Sequence, residues 1–430
     1  MRRLSYKKAL QYLYGLQKYG IKFGLSKTSN IMKKLGNPHR GRKYIHIAGT
    51  NGKGSVSAMV ESILVRSGMK VGFYSSPHLV RFTERFRING KEISQKKAAE
   101  LTEELRDIID PGHPPTYFEV TTAMALTYFA REKCDIAIME VGMGGRLDAT
   151  NIIRPVASAI TNISLEHQFF LGNRLIDIAG EKAGIIKRGV DLVTAATQPS
   201  VIRLFESICA EKKASFWRVG KDVRYRSSCS GLNYYGLKRV LRDLETGLKG
   251  GFQGRNTALS LAIIEMLEAK GFNISSDNIV RGLRETTWPG RMHIISDTPL
   301  IILDGAHNPR AIRELAGSIG NEFSPKNLIL VLGIMEDKDI SRIIDGIMDV
   351  TDYVICTKPV YYRSADPEIL MKHVSSHGKK GEVVRSISGA VRRAKDLAGP
   401  RDMILVTGSL FTVGEALTYF DPVRYRPDGI

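Results

Sequence analysis

The sequence predicts two α/β domains, each a mainly parallel β-sheet covered on both faces by helices. Three observations carry this expectation. Short apolar runs alternate with segments whose apolar residues recur at three- and four-residue intervals. The alternation breaks near residue 215 and resumes as a second series from about Arg291. The 430 residues also exceed the size at which one hydrophobic core usually keeps growing.

The first stretch, MRRLSYKKALQYLYGLQKYG, is basic and starts like a signal peptide. It lacks an unbroken apolar segment and a small-residue cleavage site, so it reads as an amphipathic helix. Strand-like runs follow at 44–49 (YIHIAG), 70–75 (KVGFYS), 135–141 (DIAIMEV), 156–163 (VASAITNI) and 191–196 (DLVTAA). Helical segments such as SVSAMVESILVRSG lie between them, the pattern of a buried parallel sheet. Residues 215–255 read as a β-rich edge with short polar strands and several glycines, and a helix is expected from about Asn256 to Ala269. WPGR (288–291) marks the boundary, giving domains of 1–287 and 288–430. The second is expected to be a smaller Rossmann-like unit with strands in PLIILDG, NLILVLG, DYVICTK and MILVTG.

Composition narrows the class. Hydrophobic residues make up 43% and charged residues 25% of the chain, ordinary for a globular protein. No apolar run reaches membrane-spanning length, and a cytoplasmic location is expected. Cysteines 134, 209, 229 and 356 show no C-x-x-C spacing and read as core packing in a reducing compartment rather than zinc ligands or disulfides. The formal net charge of +19 suits an anionic partner. The basic residues are scattered, with no recognisable nucleic-acid module, so no nucleic-acid partner is expected.

The strongest local signal is YIHIAG followed by TNGKGS and a helix. Gly49, Gly52 and Gly54 let backbone N–H groups approach an anion, the helix N-terminus adds its dipole, and Lys53 supplies a mobile charge. Strand, glycine loop and helix form the context that a nucleotide phosphate loop requires. The loop is shorter than G-x-x-x-x-G-K-[ST] and inserts Gly54 between the lysine and Ser55. Glu140 and Asp304 end apolar runs, where open α/β sheets bind ligands. Taken singly, Ser76 is a loop starter, His167 a surface histidine, Lys182 a solvated charge, and Arg291 either an interface charge or a ligand.

GTNGKGS resembles the phosphate loop of the Mur ligase superfamily, in the form typical of the dihydrofolate synthase and folylpolyglutamate synthase family. Further matches follow in the family's order: YSSPHLVRFTERFRING, TYFEVTTAMAL, EVGMGGRLDATNII, TNISLEHQFFLG, IAGEKAGIIK, PGRM, LDGAHNP and GSLFTVGE. The resemblance implies ATP and Mg²⁺, two ions, with Ser76, Glu140 and His167 as metal ligands and Lys182 carbamylated. It assigns Asn51, Gly52, Lys53, Gly54, Ser55, Asn256, Arg291 and Asp304 to ATP and puts His307 near the reacting phosphate, so Lys53, Lys182 and His307 are the implied catalytic residues. Thr116, Tyr117, Phe118, Leu147, Asp148 and Ala149 are placed against the pterin-bearing substrate. Two departures stand out. Glu166 occupies a position where the family more often has aspartate, and YGIKFGLSKTSNIMKKLG matches the family's pterin-contacting loop only loosely.

The implied reaction is ATP-dependent addition of L-glutamate to dihydropteroate or a folate through an acyl phosphate, by a monomer. A Mur-type ligase for a different acidic substrate is the alternative. A cell-wall ligase is disfavoured by the roughly 40 residues before the phosphate loop, too few for the extra domain expected there. A nucleic-acid-dependent ATPase would hydrolyse ATP without an amino acid, and a non-catalytic nucleotide-binding module would lack the metal-ligand set.

Overall fold

A computed structural model describes residues 4–228 and 231–429. Its larger sheet holds six parallel strands in the order Val71–Tyr74, Ile136–Glu140, Tyr44–Ala48, Ala157–Ile160, Leu192–Thr194 and Phe216–Arg218. An antiparallel edge is added by Phe86–Ile88 and Lys91–Glu92. The central strands are buried along their whole length, which is why they read as unbroken apolar runs. The helix Lys53–Arg66 packs between this sheet and the helices Gln253–Glu268 and Ser276–Glu285. Gly282 allows the closest approach, since a Cβ there would lie 2.6 Å from the Ile63 Cα.

The second sheet runs His293–Asp297, Leu300–Leu303, Met403–Thr407, Leu328–Leu332, Tyr353–Cys356 and Lys380–Val383, all parallel except the first pair. Apolar cores lie on both of its faces. Between the two large sheets in sequence, Arg224–Ser228, Gly231–Tyr235 and Val240–Leu244 form a separate antiparallel sheet. This is the β-rich edge expected from 215–255. The following helix begins at Gln253, three residues earlier than its apolar periodicity suggested.

Three contacts carry the end of the chain back across the molecule. Asp428 accepts from the Tyr6 hydroxyl at 2.9 Å and from the Phe82 N–H at 2.8 Å, and Arg81 donates to the Arg424 carbonyl at 2.7 Å. Tyr6 opens the helix Tyr6–Gly15, which Ser5 caps and which buries Ala9, Leu10 and Leu13, as an amphipathic helix should. Cys134, Cys209 and Cys356 are free and buried, and Cys229 lies outside the described residues. Among the described residues no helix is long and apolar enough to cross a membrane.

Candidate active site

The phosphate loop leaves the central strand Tyr44–Ala48 and enters the helix that begins at Lys53. Its path is fixed from the neighbouring strand end. Thr161 donates to the Asn51 carbonyl at 2.6 Å, the Asn162 side chain accepts from the Asn51 N–H at 2.9 Å, and the Asn162 carbonyl accepts from the Thr50 N–H at 2.9 Å. Two glycines are required by this geometry. Gly49 has φ +140° and any Cβ would overlap Thr161. Gly52 has φ +86° and a Cβ there would lie 2.7 Å from the Asn256 amide oxygen. Asn256 is itself held by a 2.8 Å hydrogen bond to Gln253, so the helix Gln253–Glu268 braces the loop.

Residues from both large sheets line the cleft at this loop. From the first come Asn51, Gly52, Lys53, Gly54, Ser55, Ser76, Glu140 and His167, together with Asn256; from the second come Arg291, Asp304 and His307. All but Arg291, which precedes the antiparallel strand His293–Asp297, sit at or just beyond a strand's carboxyl end or at the start or in the first turn of a helix, the place where parallel α/β sheets bind ligands. Burial pushes the Glu140 carboxyl up, against the pull of Lys53 and Arg291 and of a hydrogen bond from the Ser76 N–H. Burial likewise raises Asp304, which accepts from the Met292 and Ala306 N–H groups at 2.8 Å each. The His307 Nδ1–H donates to the Gly305 carbonyl at 2.7 Å, which fixes the tautomer and leaves Nε2 with its lone pair. Burial and the Lys338 ammonium hold this ring neutral, with a pKa lowered to about 4.

Lys182, which taken singly reads as a solvated charge, is buried and does not line this cleft. It is 2% exposed and stands behind the loop, donating to Glu166 at 2.7 Å and to the Gly49 carbonyl at 3.0 Å. Lys53 donates to that same carbonyl at 3.0 Å and to the Thr50 carbonyl at 3.1 Å. Two ammonium groups therefore share one carbonyl oxygen. Burial lowers the Lys182 pKa while the Glu166 carboxylate opposes the shift and Lys53 adds to it.

The six residues expected against the acceptor do not line this cleft. Two of them, Phe118 and Asp148, lie behind its wall at Gly142. Phe118 packs on Gly142, where a Cβ would meet the ring, and Asp148 accepts from the Gly142 and Met143 N–H groups at 3.1 and 3.0 Å. Thr116 caps the helix Tyr117–Arg131 in a capping box with Glu119. Tyr117 stacks on Tyr14 at 5.7 Å with the Arg85 guanidinium over its ring. Leu147 is half-buried and Ala149 buried.

Sequence reasoning missed how the two halves are joined. The Asn51 and Asn308 side-chain amides bond reciprocally, at 3.3 and 2.8 Å. Arg310 donates to the Ile163 carbonyl at 3.3 Å, and Arg255 pairs with Glu314 at 2.6 Å. Trp288 stacks on Phe73 at 5.2 Å and stands over Gly54. Only Asn308 carried a visible signal, because Asn-Pro at a strand exit marks a helix cap.

Among the described residues no three His, Cys, Asp or Glu side chains gather into a metal cage. Ser76, Glu140 and His167 are among the oxygen and nitrogen donors that line the cleft. That sparse, mainly hard set fits Mg²⁺, which is commonly held by one or two carboxylates plus substrate phosphates.

Comparison with known proteins agrees with this architecture. The Mur ligase middle domain matches residues 47–264, and the Mur ligase glutamate ligase domain matches residues 290–410. A probable bifunctional folylpolyglutamate synthase/dihydropteroate synthase of Haloferax volcanii is 36% identical over 96% of the chain, which spans about half (50%) of that protein. A dihydrofolate synthase/folylpolyglutamate synthase of Bacillus subtilis is 31% identical, covering 96% of this chain and 98% of its own. A solved bifunctional folylpolyglutamate synthase/dihydrofolate synthase with Mn, AMPPNP and L-glutamate bound superposes with a TM-score of 0.85 at 32% identity, covering 97% of this chain and 99% of that one. With two family models, full-length relatives and a common fold in agreement, the chain belongs to the dihydrofolate synthase/folylpolyglutamate synthase family of the Mur ligase superfamily.

Proposed function

We propose that this chain uses ATP to join L-glutamate to the carboxylate of a pterin-bearing acceptor, dihydropteroate or a reduced folate. The observation that carries the reading is one cleft lined by a phosphate loop and the buried Glu140 carboxylate from the first domain and by the half-buried Arg291 from the second. The relatives' names supply the acceptor and the amino acid. Residues 1–287 hold ATP phosphates and the acceptor, and residues 288–430 close over the nucleotide and bind glutamate.

In the first step an acceptor carboxylate oxygen attacks the γ-phosphorus and ADP leaves. In the second, the glutamate amine attacks the acyl phosphate carbonyl, loses a proton, and inorganic phosphate departs. Such chemistry needs positioning and charge neutralisation more than covalent help. The loop N–H groups from Asn51 to Ser55 cradle the phosphates, Lys53 turns from its own loop carbonyls onto them, and Arg291 approaches from the second domain. Asn256 and Asp304 contact the nucleotide, and His307, neutral with Nε2 unprotonated, faces the transferred phosphoryl group. Ser76, Glu140 and His167 would hold Mg²⁺, which when bound supplies charge neutralisation to the phosphate oxygens.

The shared Gly49 carbonyl supports a changed Lys182. A buried lysine beside a second ammonium favours its neutral amine, the form that adds CO₂ and becomes an anionic oxygen donor suited to a second Mg²⁺. Thr116, Tyr117, Phe118, Leu147, Asp148 and Ala149 bound the acceptor side through Gly142. Phe118 and Asp148 act there by shaping the wall.

ADP release, measured with dihydropteroate and then tetrahydrofolate, each with and without glutamate and Mg²⁺, tests the proposal. Turnover is expected only when acceptor, amino acid and metal are all present. Robust ATP hydrolysis without glutamate would sink it, and activity with another acidic acceptor alone would favour a different Mur-type ligase.

A further inference from the structure

We infer that a second concavity, at the amino-terminal edge of the first sheet, binds a compact polyanion. The inference does not depend on the ligase reading. The concavity measures about 820 Å³; Lys33, Arg40, Arg42 and Arg154 line it together with His39, and no carboxylate does. Elsewhere several surface arginines are paired with carboxylates, as Arg81 is with Glu92, Arg131 with Glu104 and Arg146 with Glu181. Among the described residues none of these four cations has an ion-pair partner, and Arg154 donates only to the Arg188 carbonyl. All four side chains are exposed, and an anion placed between them would gain from each at once.

The hollow is built on fixed backbone. The Asn37 N–H donates to the Met32 carbonyl at 2.7 Å, the Arg40 N–H to the Asn37 carbonyl at 3.0 Å, and the Tyr44 hydroxyl to the His39 carbonyl at 3.1 Å. His39 is 9% exposed and its Nδ1 has no partner. That nitrogen is shielded from solvent, so His39 helps form the hollow's wall while the exposed cations supply the donors.

The arrangement selects the ligand class. Guanidinium forks match phosphate and carboxylate oxygens equally, so the shared chemistry is a cluster of such anionic groups. The cations ring a hollow rather than run in a stripe, and no exposed aromatic ring stands among the lining residues for base stacking, which disfavours nucleic acid. Tyr44 at its floor opens the strand whose far end feeds the phosphate loop. Five residues of strand span about 16 Å, so a ligand here leaves the nucleotide cleft open.

Calorimetric titration tests this with two probes, inorganic tripolyphosphate and tetra-γ-glutamate, on a Lys53→Ala protein whose cleft binds phosphate poorly. One equivalent of at least one probe should bind, and the better probe identifies phosphate or carboxylate as the natural group. Adding Arg40→Ala, Arg42→Ala and Arg154→Ala should weaken that binding at least tenfold. In an otherwise wild-type protein the same three changes should leave the melting temperature and ATP turnover unchanged. Should the triple variant fail to fold, Arg154→Ala and Arg40→Gln singly should each weaken binding several-fold. No binding of either probe at millimolar concentration, or affinity unaffected by the arginine changes, overturns the inference. So does binding of a short RNA by a protein that takes up neither small anion.

Discussion

The carboxyl edges of the two large sheets face the same cleft but are built differently. At the first edge the phosphate loop is tied to the adjacent strand end by Thr161 and Asn162 and braced by Asn256. These ties to the loop backbone all come from the first domain. At the second edge Arg291, Asp304 and His307 reach the loop only because the domains meet, through Asn51–Asn308, Arg310–Ile163 and Arg255–Glu314. On the proposed reading, the difference means that phosphate binding is preorganised while catalysis depends on the two edges meeting. Changes at the first edge should therefore stop the reaction, and changes at the second should weaken its approach.

The largest effects should come from Lys53→Ala and Glu140→Ala. Removing a group that meets developing charge in a sheltered site typically costs about 10²–10³ in kcat, and the upper end is expected for both. Steady-state ADP release, with a melting curve to show an intact fold, checks this. Near-normal kcat in either variant would remove that residue from the site and erase the contrast between the edges.

Lys182→Ala comes next, at about 100-fold, because Lys182 stands behind the first edge rather than on it. If its role is that of a carbamate, acetate or formate should restore part of the activity. Stripping CO₂ and bicarbonate from wild-type enzyme should lower activity reversibly. Because burial depresses its pKa, the neutral amine appears at lower pH than for a solvated lysine. CO₂-dependent activity should accordingly rise with pH and level off below the ordinary lysine range. Wild-type activity in Lys182→Ala would refute the role.

Arg291→Ala probes the second edge. An arginine that arrives with closure should affect nucleotide use more than acceptor binding, so kcat/KM for ATP should fall about 30-fold, roughly 2 kcal/mol. Acceptor affinity measured without nucleotide should stay within twofold. An equal loss of both would assign the arginine to holding the domains together.

Legibility in the sequence followed the same division. Parallel strands buried on both faces, such as Tyr44–Ala48 and Leu328–Leu332, appeared as apolar runs. The edge strands Lys91–Glu92, His293–Asp297 and Lys380–Val383 did not, because half-exposed strands carry mixed residues. The glycine loop was readable as a unit since its parts are consecutive. The pairing of Asn51 with Asn308 spans 257 positions and leaves no local pattern. Thr116 and Asp148 illustrate a third case: motif membership marked them for the acceptor, while their visible hydrogen bonds cap a helix and pin a turn.

The smallest expected effect isolates closure itself. Asn308 does two things: its Oδ1 caps the helix Pro309–Glu322 by accepting from the Ala311 N–H at 3.0 Å, and its amide pairs with Asn51. An alanine would lose both, and the cap alone is worth about 1 kcal/mol of stability. Serine separates them, since it is a good N-cap but too short to reach Asn51. Asn308→Ser should thus leave the melting temperature nearly unchanged. Each lost hydrogen bond contributes about 0.5–1.5 kcal/mol net, so kcat/KM should fall by about tenfold through rarer closure, with ADP affinity at the preformed loop little altered. Asn51→Ala should cost a similar amount, and the double variant should cost little more than either single change, because both remove the same contact. Additive losses would mean that the two amides act separately on the nucleotide, and the closure contrast would then rest on Arg310 and Arg255 instead.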